Sequence, residues 1–266
     1  MSGGSGKNTE AMCDLTLRHR LICGIPALEL FARIGNGKQP LVIMIHGFEA
    51  AKEHVLPYAY RLAEKGFYTV FFDAREHGER AGPAVPDASP LEKKARLYEL
   101  SFATAADIDT VIDDYSGHPR ADAGRIGLVG FSMGGMTIYR YAAGFRRPGV
   151  KAAVPVIATP AFTEKLKHDM AADPDLAALY DEKSISGIAD RDPRRHPARM
   201  TDLPLLILNG TADELMPVDH VRAFYREMKA LYSRKELIRM IEYPGIGHLI
   251  TAEMMIDVAD WLKRYL

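Results

Sequence analysis

A serine with glycine two residues away on each side, Gly130-Phe131-Ser132-Met133-Gly134, stands directly after the apolar run RIGLV. A side-chain hydroxyl becomes a nucleophile when a base takes its proton, and it must sit on a sharp turn where neighbouring side chains leave room. With 22 glycines and nine serines, the pattern would arise by accident about 0.06 times. Its place between a predicted strand and a predicted helix therefore carries much of the weight. The helix opening near Met133 also favours negative charge at a reacting centre. The alternative is an ordinary serine N-cap.

A base and a carboxylate to orient it are available further on. Asn209-Gly210-Thr211-Ala212-Asp213-Glu214 follows the run PLLIL, and Gly245-Ile246-Gly247-His248 follows RMIEYP. Asp213 lies 81 residues beyond Ser132, and His248 lies 35 beyond Asp213. A general base must reach the nucleophile and be held in one tautomer by a carboxylate, which are the roles His248 and Asp213 fit. Asp213 as a simple Asx-turn residue, Glu214 or Asp219 as the acid, and His248 as a surface histidine are the competing readings. After PLVIMI comes His46-Gly47-Phe48. The backbone N–H groups of Phe48 and Met133 are expected to face a developing oxyanion, with His46 packed beneath the loop in a structural part. Phe48, Met133, Met216, Ile246 and Leu249 flank these positions and are expected to give the substrate apolar walls, although each suits plain core equally.

Such groups need strands that end together. Short apolar runs alternate with amphipathic stretches, the pattern of βαβ units around a mostly parallel sheet. The predicted strands are Pro40 to Ile45, Phe67 to Phe72, Arg125 to Gly130, Ala152 to Ile157, Pro204 to Leu208 and Leu237 to Tyr243, preceded by DLTLRHRLI and PALELFAR as an antiparallel pair. Helices are predicted over Val55 to Lys65, Phe102 to Tyr115, Met133 to Ala143, Val218 to Tyr232 and Ala252 to Tyr265. The stretch from about Thr159 to Asp202 is too long for a simple connection and reads as a small cap.

Composition narrows the setting. The 266 residues are 47% hydrophobic and 26% charged, enough for one large α/β domain over residues 14–266 after a Gly/Ser-rich flexible tail, residues 1–13. A net charge of -1 gives no field to draw in nucleic acid or an anionic membrane, so small molecules are the expected partners; a homo-oligomer is compatible. Cys13 and Cys23 fall in no metal or redox spacing and suit two free thiols in a reducing, cytoplasmic compartment. No apolar run approaches the roughly 18 residues of a membrane span, and no metal-ligand motif such as HExxH occurs.

HGF, GFSMGG, NGTADELMP and PGIGHLI, in this order, resemble the α/β-hydrolase superfamily from about Leu15 onward. DAREHGER, Asp73 to Arg80, is similar to the D-x-R-G-x-G segment of the branch that holds dienelactone hydrolases, acyl peptidases and small bacterial carboxylesterases. Ser132 stands where dienelactone hydrolases carry cysteine, and Glu76 replaces the usual glycine, which argues against a lactone specificity. The absence of HGGG argues against the hormone-sensitive-lipase branch, and the absence of a propeller-sized leading domain against an oligopeptidase. Haloalkane dehalogenases and epoxide hydrolases use aspartate at the Ser132 position. The resemblance implies the α/β-hydrolase fold, a mostly parallel eight-stranded sheet with helices on both faces and a cap insertion near 159–202. It also implies a carboxylesterase acting through an acyl-enzyme without metal or organic cofactor. An amidase, a peptidase or an acyltransferase with the same triad is the enzymatic alternative, and a ligand-binding pseudoenzyme the non-enzymatic one. The polar helical part of the cap, AFTEKLKHDMAADPDLAALY, suits short acyl groups. The basic RDPRRHPARM either favours a carboxylate on the substrate or is a solvated face.

Overall fold

The computed structural model describes residues 14–33, 37–82, 89–144 and 146–266. The expected tail and Cys13 lie outside these residues. The continuous apolar runs form strands because both of their faces are covered. In β3 (Gln39–Ile45), Leu41, Ile43 and Ile45 join one buried cluster while Val42 and Met44 join another. In β7 (Leu205–Gly210), Leu205 and Ile207 are divided from Leu206 and Leu208 in the same way. The period-2 alternation of a strand is present, but two apolar faces hide it from the sequence.

β1 (Leu15–Ile22) and β2 (Ile25–Ala32) form the expected antiparallel pair. Cys23 and Gly24, both at positive φ, make its two-residue turn, as the twist of a tight hairpin requires. With β4 (Tyr68–Phe72), β5 (Ala121–Phe131), β6 (Val150–Val156) and β8 (Ile238–Tyr243), the strands lie in the order β1-β2-β4-β3-β5-β6-β7-β8. β2 runs antiparallel to β4, and every pair from β4 to β8 is parallel. This is the mostly parallel eight-stranded sheet of the α/β-hydrolase fold.

α3 (Leu97–Asp114), α4 (Met133–Ala142) and α8 (Val218–Leu231) supply one buried cluster with residues such as Ile108, Ile138 and Phe224. α1 (Leu56–Glu64) and α9 (Ala252–Tyr265) supply the other, through Leu62, Met254 and Trp261. Helices thus cover both faces. None of them, among the described residues, is long and apolar enough to cross a membrane.

Two helical features differ from expectation. α3 begins at Leu97 rather than Phe102, and a short helix, α2 (Pro90–Ala95), precedes it. The expected cap segment folds as α5 (Phe162–Ala172), α6 (Pro174–Ala177), α7 (Glu182–Asp190) and two 3-10 turns at Pro193–Arg195 and Pro197–Arg199. Buried Asp192 closes the segment on itself by accepting from the Thr163 amide (2.8 Å), the Thr163 hydroxyl (2.6 Å) and the Arg194 amide (2.9 Å). Tyr180 ties it to the end of α2 by donating to the Ala95 carbonyl at 2.8 Å.

Candidate active site

Ser132 follows β5 and opens α4 with φ 53° and ψ −115°, a strained conformation for a residue with a side chain. The flanking glycines are required by close approach. A Cβ at Gly130 would lie 2.2 Å from the Gly134 carbonyl oxygen, and one at Gly134 would lie 2.2 Å from that of Ile45. The turn can therefore press against both α4 and the end of β3 only without side chains there. Met133 is the first residue of α4, so its N–H has no carbonyl one turn back within the helix.

The loop after β3 runs beside the serine: a Cβ on Gly47 would meet the Ser132 Cβ at 3.5 Å. Below it, His46 has the structural placement expected. Burial first of all lowers its pKa to about 4. The neutral ring donates from Nδ1 to the Gly47 carbonyl (2.7 Å) and accepts the Ala74 N–H at Nε2 (3.0 Å). The Phe48 loop is thereby fastened to the end of β4.

That strand end is itself held by Asp73. One carboxylate oxygen accepts from the Lys52 amide at 2.9 Å, and the other from Lys52 Nζ at 2.9 Å and the Glu79 amide at 3.0 Å. Gly78 is part of this device. It has φ 53°, and a Cβ there would fall 2.2 Å from the Asp73 Oδ1. The similarity of DAREHGER to D-x-R-G-x-G thus marks a loop clamp, in which Arg75 and Arg80 also both bind the buried Asp107 carboxylate. Glu76, in the place of the usual glycine, keeps the positive φ (59°) that glycine favours.

Asp213 and His248 arrive from the ends of β7 and β8. The Ser132 hydroxyl donates to His248 Nε2 at 2.8 Å, and His248 Nδ1 donates to Asp213 Oδ2 at 2.8 Å. A carboxylate only accepts, so this contact sets the tautomer with the proton on Nδ1 and a lone pair toward the serine. The Asp213 side chain is fully buried, and its other oxygen accepts the amides of Leu215 (3.0 Å) and Met216 (2.9 Å). The Asx turn and the contact with the histidine are therefore made by the same residue. The rival acids are elsewhere: Glu214 is exposed, and Asp219 pairs with Arg222 on α8.

Two clefts meet at Ser132 and His248. The first, about 320 Å³, has apolar walls from Val55, Tyr58, Phe131, Ile157 and Ile250. The second, about 270 Å³, is bounded by Pro90, Leu97 and Met216, with Glu49, Lys94, Lys165 and Asp169 as its charged members; Phe48 borders both. Lys165 is buried, bonded to Asp169 at 2.8 Å and to the Leu215 carbonyl at 2.9 Å. It therefore ties α5 to the Asp213 loop.

Of the five expected wall residues, Phe48 and Met216 border these clefts. The other three side chains are placed differently. Met133 is buried in the core, Ile246 packs against the cluster of α1 and α9, and Leu249 is 62% exposed. Residues 191–200 border neither cleft: Arg194 pairs with Glu164 and Glu227, and Arg191 lies over the Phe102 ring. Sequence reasoning missed the contribution of α2, although Ser89-Pro90-Leu91-Glu92 is a capping box with proline at the first helical position, a signal that can be read directly.

Comparison with known proteins agrees with this architecture. The sequence model described as the alpha/beta hydrolase family matches residues 42–261. A Bacillus subtilis (strain 168) protein provisionally named an esterase, YitV, is 28% identical over 95% of this chain and all of its own length. Esterase YjfP of Escherichia coli (strain K12) is 24% identical over 95% of this chain and all of its own. A crystal structure from Klebsiella pneumoniae subsp. pneumoniae, provisionally called a dienelactone hydrolase, superposes with a TM-score of 0.70 at 22% identity, over 95% of this chain and 100% of that one.

Proposed function

The chain belongs to the alpha/beta hydrolase family, and from that premise we propose that it is a serine carboxylesterase acting on short-chain esters. The observation that carries this reading is the unbroken hydrogen-bond path from Ser132 through His248 to Asp213. His248 takes the hydroxyl proton as Ser132 attacks the ester carbonyl, and Asp213 stabilises the imidazolium that forms. The amides of Phe48 and Met133 hold the oxyanion, and collapse of the tetrahedral intermediate expels the alcohol with the proton returned by His248. Water activated by the same histidine then frees the acid and restores Ser132.

Esterase names among relatives that match along nearly the whole chain support an ester as substrate. The exposed, unpaired Cys23 suits work in a reducing compartment such as the cytoplasm. The test is hydrolysis of p-nitrophenyl butyrate by the purified protein and by Ser132→Ala, beside the matching p-nitroanilide. Ester turnover that is abolished by the substitution and exceeds anilide turnover is expected. Preferred cleavage of the anilide, or ester turnover that survives in Ser132→Ala, contradicts the reading.

A further inference from the structure

A third cavity, about 280 Å³, shares Phe48 with both clefts at Ser132. Ala50, Ala81 and Leu100 make much of its wall, and His77 is its buried polar member. His77 is only 7% exposed, with its ring set edge-on to Phe48 at 5.5 Å between centroids and tilted against His46 at 5.3 Å. Its Nδ1 donates to the Arg75 carbonyl at 2.8 Å, which leaves Nε2 as an acceptor. Nε2 has no hydrogen-bond partner among the described residues, yet it is not one of the sealed orphan atoms, as His220 Nδ1 is. Nε2 is therefore not sealed, in a residue that lines the cavity.

The backbone is shaped to hold the ring there. Glu76 and Gly78, the residues on either side of His77, both have positive φ, at 59° and 53°. For Glu76 that conformation is disfavoured by its own Cβ. Its carboxylate is gripped at the cavity wall by Arg96 from the α2–α3 junction, at 2.5 Å. That pair cancels its own charge, and Lys93 and Glu49 bring opposite charges to the rest of the lining. With the charges of the lining balanced, a charged group would give up its hydration without net attraction in return, and a carboxylate would also face the Nε2 lone pair. A neutral hydroxyl meets a fixed acceptor beside the apolar walls of Phe48, Ala50, Ala81 and Leu100.

The geometry points to a third substrate subsite, continuous with the Ser132 clefts through Phe48, where His77 Nε2 accepts a hydrogen bond from a hydroxyl at the far end of an ester substrate. This inference rests on the esterase reading above, and its test separates the two. Alkyl acetates of about three to eight carbons are compared with the ω-hydroxyalkyl acetates of equal length, and p-nitrophenyl esters of straight-chain acids with their ω-hydroxy counterparts. At one chain length the wild type is expected to prefer the hydroxylated ester in kcat/KM by about 3- to 10-fold, the net worth of one neutral hydrogen bond. The ratio is expected to fall to about one in His77→Phe, which keeps a ring against Phe48, and to survive in part in His77→Gln, which keeps an acceptor. Ala81→Trp fills the cavity from its rim and should abolish the preference should His77→Phe fail to fold. Ester turnover without hydroxyl preference at any length, or an unchanged ratio in His77→Phe, overturns the subsite alone. Absence of turnover in every series overturns the esterase reading. Binding of the same esters, followed by ligand-observed NMR, then decides the subsite by whether the wild type favours the hydroxylated compounds and His77→Phe does not.

Discussion

Asp213 uses its two oxygens for different tasks, one holding the amides of Leu215 and Met216 and the other the imidazole of His248. Substitutions can therefore separate catalysis from folding. Asp213→Asn keeps an acceptor for the turn but presents His248 with a group that no longer enforces the Nδ1–H tautomer. Turnover is expected to fall about 10⁴-fold with little change in melting temperature. Asp213→Ala should also strand the Leu215 and Met216 amides, the second of them buried, and cost about 1–3 kcal/mol in a urea titration. Equal stability of the two variants would show that the turn does not depend on the carboxylate. His46 makes a pH-dependent contribution of its own. Its folded pKa of about 4 lies below the ordinary 6.5, so the unfolded chain binds the proton first as pH falls. The stability from the neutral ring is complete above pH 6.5 and is lost progressively toward pH 4. The loss is on the order of 2 kcal/mol between pH 8 and pH 5. Unfolding free energies measured at both pH values should show that His46→Gln removes this part of the pH dependence; an identical dependence in the variant would contradict the burial argument.

The turn from β5 into α4 was legible because its constraint is local: two glycines, a serine and a strand-to-helix junction are all near in sequence. The structure adds what each glycine avoids. Gly134→Ala places a methyl 2.2 Å from the Ile45 carbonyl oxygen, so β3 and α4 must separate. Loss of activity together with a melting temperature lowered by several degrees is expected, and wild-type melting would show that the elbow has slack. The ends of β3, β7 and β8 were equally readable, since each apolar run stops at a Gly-containing polar segment. The site walls were less so. Ile246 and Leu249 lie next to His248 in sequence, but on an irregular loop adjacency does not fix direction, and Leu249 points to solvent. The wall made by α2 and Leu97 comes instead from a segment distant in sequence from every catalytic candidate.

Across the whole molecule, the strand runs and the helical spacing between them were enough to suggest a parallel sheet covered on both faces. The route of the chain through the cap was not, because its helices are polar and held by specific contacts such as Thr163 with Asp192 and Lys165 with Leu215. In the esterase reading proposed above, the substrate range depends on the space left beside Ser132. Two clefts of about 320 and 270 Å³ flank Ser132, and each methylene they accommodate adds roughly 0.8 kcal/mol until they are full. Along a p-nitrophenyl ester series, kcat/KM is expected to rise and then fall after butyrate or hexanoate. A steady rise through decanoate would instead indicate an open, lipase-like cleft. The central claim, that Ser132 is the nucleophile activated by His248, is tested most directly by a fluorophosphonate probe with mass mapping of the labelled peptide. One covalent group on Ser132 in the folded protein, with labelling greatly slowed in His248→Ala, is the predicted result. Label on another residue, or none on folded protein, would contradict it.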